Sequence, residues 1–103
     1  MLSRFFISEF GTWFNSDFVD LNDWSSMESS AICVASNVAN EPLVDVSLAQ
    51  LNDFIETWKQ DDIDLLVAAS RVDWNFSKDT EKILRKLILV IRDEIKQQLV
   101  DTI

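Results

Sequence analysis

The sequence predicts an all-α fold, a compact bundle of about five helices closed by a long C-terminal helix. Three observations predict it. The 103 residues contain one glycine and one proline, too little turn chemistry for the tight turns of an all-β domain. Apolar residues recur at three- and four-residue steps through most of the chain. Hydrophobic residues make up 48% of the total, enough at this length to bury one core, so residues 1–103 are expected to form a single helical domain.

Each element follows from a local pattern. A first helix is expected from about Ser3, where Phe5, Phe6, Ile7, Phe10, Trp13 and Phe14 give it a broad apolar face. Asn15–Trp24 reads as a loop. Ser25 or Ser26 is positioned to cap a second helix reaching about Asn37, with Met27, Ile32, Cys33, Val34 and Val38 mostly inward. Pro42 stops its continuation, and Asn40–Val46 reads as a loop. Ser47 and Gln50 have capping-box spacing ahead of a helix over 48–59, whose apolar face is Leu48, Leu51, Phe54, Ile55 and Trp58. Asp61 or Asp62 can cap a short helix carrying Ile63, Leu66 and Val67. After a loop at Arg71–Phe76, Ser77 can cap the last helix, from about Lys78 to Val100. There Leu84, Leu87, Ile88, Ile91, Ile95 and Leu99 form the stripe, widened by Ile83, Leu89 and Val90. Asp79 and Glu81 suit its positive end, and Glu81 and Arg85 have i, i+4 spacing.

Charge is unevenly placed. The formal net charge is −9. Residues 1–70 hold twelve acids against two bases, Arg4 and Lys59, while residues 71–103 hold six acids against seven bases. The acidic two thirds repel nucleic acid and anionic membrane and attract a cationic partner, although an acidic surface also serves solubility. The longest apolar run, Leu87–Ile91, is too short to span a bilayer. The N-terminus lacks the pattern of a secretion signal, so a cytoplasmic location is expected. One cysteine, Cys33, lies in an apolar run and reads as a small hydrophobe, with no internal disulfide to form.

The residue types exclude much catalytic chemistry. Without histidine, the usual base near neutral pH is missing, and neither a Ser-His-Asp nor a Cys-His site can be built. Zinc and di-iron sites lack their ligands. Asp20, Asn22 and Asp23 have neither the spacing nor the central glycine of a calcium loop, and one glycine cannot make a phosphate loop. Asp61, Asp62 and Asp64 stand at a helix start, where capping and dipole compensation account for them without glycosidase chemistry. The expectation is a protein that is not an enzyme and holds no metal or cofactor.

The most distinctive stretch is Phe10 to Trp24. Phe10, Trp13, Phe14, Phe18 and Trp24 are interleaved there with Asp17, Asp20 and Asp23. Buried rings would hold these carboxylates in fixed positions, which lowers the ordering cost of binding; one or two rings at the surface would be interface anchors. A second aromatic pair, Trp74 and Phe76, precedes the last helix and reads first as core.

The block Trp13-Phe14-Asn15-Ser16-Asp17-Phe18 with Trp24, and the turn Asp73-Trp74-Asn75-Phe76-Ser77 leading into Leu84, Leu87, Ile91 and Ile95, resemble one group of immunity proteins from bacterial contact-dependent growth inhibition systems, small, acidic and helical. The resemblance implies a partner, the C-terminal toxin domain of a large secreted effector, often a nuclease, which the immunity protein neutralises in the cytoplasm. It assigns no contact residues. Charge clustering alone nominates Asp17, Asp20 and Asp23 in the first loop and Asp61, Asp62 and Asp64 at the fourth helix as the partner-binding residues. The rival expectations are a small acidic homodimerising adaptor or antitoxin-like protein, a nucleic-acid mimic, and a carrier with an aromatic ligand pocket. The sequence leaves the oligomeric state open.

Overall fold

Among the described residues five helices form, in the order predicted. They are α1 (Arg4–Trp13), α2 (Trp24–Ala39), α3 (Val44–Thr57), α4 (Gln60–Ala69) and α5 (Lys78–Asp101). The structure is a computed structural model that describes residues 2–15, 19–70 and 78–101. Asp17, Phe18, the expected loop at 71–76 and the Ser77 cap therefore lie outside the described residues.

The core draws on every helix. Phe6, Phe10 and Phe14 come from α1 and its C-cap, and Met27, Ala31, Val34, Ala35 and Val38 from α2. Leu51, Phe54 and Ile55 come from α3, Ile63 and Leu66 from α4, and Leu84, Leu87, Ile88, Ile91 and Ile95 from α5. The α1 rings stack along the helix at centroid distances of 6.5 Å and 4.4 Å. The expected stripe of α5 is thus the observed one, with Leu99 packed against its edge. Phe5, expected in the α1 apolar face, is instead exposed.

Helix starts differ from the local expectation in three places. Asp23, rather than Ser25 or Ser26, caps α2: its carboxylate accepts from the Ser25 N–H at 3.0 Å and its carbonyl accepts from the Met27 N–H. α3 begins at Val44, immediately after the Glu41–Leu43 turn, so Ser47 lies within the helix and is buried. Its hydroxyl bonds the Ser3 hydroxyl at 3.2 Å, a tertiary role in place of a cap. α4 has Lys59 at the N-cap position with no side-chain cap bond, which puts Asp61 and Asp62 at the second and third positions of the helix. The α1 expectation holds, since Ser3 accepts from the Phe6 N–H.

Two close pairings set the frame. α1 and α4 run side by side in the same sense. The Leu2 N–H donates to Asp62 Oδ1, and Gly11 lies against Ala69, where a β-carbon would come within 2.6 Å of the Ala69 carbonyl oxygen. The single glycine permits that approach. α2 and α5 are likewise parallel: Lys86 lies over the Trp24 ring near their starts, and further along both helices Gln98 donates to the Ser36 hydroxyl.

The end of α3 is fastened to the start of α5. Trp58 terminates α3 in the left-handed region, at φ 46° and ψ 50°, a conformation that costs a non-glycine residue about 1–2 kcal/mol. Its ring stacks on Phe54 at 4.8 Å, its indole N–H donates to Glu81 Oε1 at 2.7 Å, and Arg85 lies 5.0 Å from its centroid. Arg85 also donates to the Ile55 carbonyl. The i, i+4 residues Glu81 and Arg85 thus meet on Trp58 rather than as an ion pair. These contacts offset the backbone cost.

Candidate functional site

The first candidate cluster is built by the turn that enters α2. Val19 is buried and anchors it. The Asp20 N–H donates to the Ser26 hydroxyl, its carboxylate accepts from the Asn22 N–H at 2.9 Å, and its carbonyl accepts from the Asp23 N–H. Both carboxylates are exposed while their backbones are fixed by these bonds, a local arrangement typical of Asp in turns. Trp24 follows, half-buried, with its indole N–H on Glu28 Oε2 at 3.1 Å and the Lys86 ammonium 4.3 Å from its centroid. One face of that ring is therefore occupied by a cation of the same chain.

The second cluster lies on the first turns of α4, where acids suit the helix dipole. Asp61 and Asp64 are exposed, and Asp64 accepts from Gln60 at 2.9 Å. Asp62 is turned inward, 4% exposed, with Oδ1 taken by the Leu2 N–H. Successive helical positions differ by about 100°, so three nearby acids cannot share one face. Asp62 holds the N-terminal segment and presents no carboxylate to a partner. Beside it a shallow hollow of about 320 Å³ is lined by Lys59, Asp61, Asp62 and the exposed Leu65. Among the described residues no hydrogen bond or ion pair joins the two clusters.

The acids of the first seventy residues are mostly at the surface. Asp20, Asp23, Glu28, Asp45, Asp53, Glu56, Asp61 and Asp64 are all exposed. Among the described residues the one ion pair is Arg92–Asp93 on α5, and none of these eight takes part in it. Among the described residues no group of three His, Cys, Asp or Glu side chains could hold a metal ion, and no helix is long and apolar enough to cross a membrane. Cys33 is half-exposed rather than inward.

No protein-family model matches this chain. Neither a curated protein nor a solved structure matches it significantly.

Sequence reasoning missed one site altogether. Ile32, expected inward, is 40% exposed. It shares an open furrow between α2 and α5 with Glu28, Val90, Asp93, Glu94 and Gln97. The core arc of α2 is centred on Met27, Ala31, Val34 and Val38, and Ile32 falls outside it. A signal was present in the sequence: α2 carries one charge, Glu28, in sixteen residues, which is unusual for a helix with a solvated face.

Proposed function

We propose that this chain is an immunity protein that binds and neutralises the C-terminal toxin domain of a contact-dependent growth inhibition effector in the cytoplasm. One observation carries the reading: eight exposed carboxylates between Asp20 and Asp64, none in an ion pair among the described residues, on a scaffold that buries Phe6, Phe10, Phe14 and Phe54. An acidic surface of this kind suits a basic partner, and a nuclease keeps a basic cleft for phosphates. Charge complementarity of this sort raises association rates by roughly 10 to 10³-fold and weakens as salt rises. The protein contributes no chemistry of its own. It acts by covering the toxin's active surface or holding an inactive form.

The test is co-expression with the toxin-sized segment encoded beside this gene, then calorimetry at two salt concentrations and a growth-rescue assay. A tight, salt-weakened complex with rescue is the expected result. A correctly folded toxin domain that neither binds nor is neutralised overturns the reading. Charge reversal at Asp61 and Asp64 together, and separately at Asp20 and Asp23, is expected to slow association and flatten its salt dependence. Unchanged kinetics in both variants would remove these carboxylates from the interface.

A further inference from the structure

The solvent side of α2 carries a single charge. Its exposed residues are Ser25, Glu28, Ser29, Ile32 and Asn37, and Asn37 is held by Glu9 of α1 at 2.7 Å. Covering three small or apolar side chains and one carboxylate costs little desolvation, whereas covering a face rich in lysine and glutamate costs much. Beside this face runs the furrow between α2 and α5, about 390 Å³ in volume. Ile32 and Val90 are its apolar lining residues. Glu28 stands on one bank, Asp93 and Glu94 on the other, and Gln97 at one end. The lining holds three acids and no base. Arg92 meets Asp93 only at Oδ1, Gln98 donates to Glu94 Oε1, and Lys86 is engaged by Trp24.

We infer that this furrow is a docking site for a basic amphipathic helix of a protein partner. Two parallel helices present a channel into which a third helix packs lengthwise. An apolar anchor of leucine size fits between Ile32 and Val90, and lysine or arginine one turn to either side meets Glu28 and the Asp93–Glu94 pair. Charge decides against a second copy of this chain. A two-fold contact through the furrow would set its three acids against the same three acids, between molecules each carrying −9. The inference rests on the binding reading above for the existence of a protein partner, but it names a surface distinct from the first loop and α4.

The experiment titrates the isotope-labelled full chain with a synthetic helical peptide of about eighteen residues, five turns long, with leucine along one face flanked by lysine. A second peptide carries glutamate in place of each lysine. The expected result is amide shifts confined to α2 around Ser25–Ile32 and α5 around Val90–Gln97, with none from the acidic peptide. Ile32→Arg, at an exposed position, is expected to keep the melting temperature and weaken peptide binding by about tenfold or more. Shifts centred on Asp20 and Asp23 or on Asp61 and Asp64, the absence of binding, or undiminished affinity in Ile32→Arg each overturn the inference. So does sedimentation showing a wild-type dimer that Ile32→Arg dissolves, which would make the occupant a second copy. Failure of the toxin domain to bind bears on the preceding reading alone, because the peptide titration decides the furrow.

Discussion

α2 and α5 lie side by side and run in the same sense, yet they are made of different material. α5 buries leucine and isoleucine at Leu84, Leu87, Ile88, Ile91 and Ile95, and carries eleven charged residues in twenty-four. α2 buries mainly alanine and valine and carries one charge in sixteen. The difference divides the work. The small inner face of α2 lets the large side chains of α5 approach closely, as interdigitated packing requires. The charges on α5 keep its outer face in water, while the outer face of α2, nearly free of charge, is easily covered. The large buried side chains therefore lie on the α5 side of the pair and the charge-poor outer face on the α2 side.

That division can be broken by substitution. Ile88→Ala, which empties a fully buried site on α5, is expected to destabilise by about 2–5 kcal/mol, measured by urea unfolding. Ala35→Leu, which overfills the small inner face of α2 where Ala35 is wholly buried, is expected to cost about 1–3 kcal/mol. A neutral result would show slack between the helices and refute the close-packing account. Gly11→Ala applies the same argument to α1 and α4. Alanine favours a helix by about 1 kcal/mol over glycine, but the clash with the Ala69 carbonyl should reverse the sign and lower stability. Asp23→Ala removes the α2 cap and is expected to cost about 1 kcal/mol. The smallest effect is expected at Ser29→Ala on the outer face, within about 0.5 kcal/mol, read by the same unfolding curves.

Much of this architecture was legible in the residues. The α5 stripe and, apart from Phe5, the α1 face follow from spacing that acts within one helix. The misplaced starts differ in origin: at α2 the neighbours Asp23, Ser25 and Ser26 all offer a cap oxygen, whereas α3 and α4 begin without any side-chain cap. Asp23 prevails because the Asp20–Asp23 turn already delivers it to the end of α2, and Ser47 is claimed by Ser3, forty-four residues away. The candidate site was less legible. Asp62 is adjacent in sequence to Asp61, but its fate was set by Leu2, a contact no helical period encodes. The furrow depends on α2 meeting α5, and the sequence placed Ile32 inward because it stands in the apolar string Ala31-Ile32-Cys33-Val34-Ala35. Charge sparsity in α2 was the one visible trace of its exposed face.

The parallel pairing of α2 and α5 also constrains how the chain reaches its fold. Neighbouring helices joined by a short loop meet antiparallel and zip from the turn, but Ser36 and Gln98 are sixty-two positions apart, so this interface must close a long loop before it yields any contact energy. During synthesis α5 emerges after the other four helices. Until it does, the side of α2 that packs against α5 lacks its partner, and the nascent chain carries an open apolar seam that chaperones or a neighbouring chain could engage.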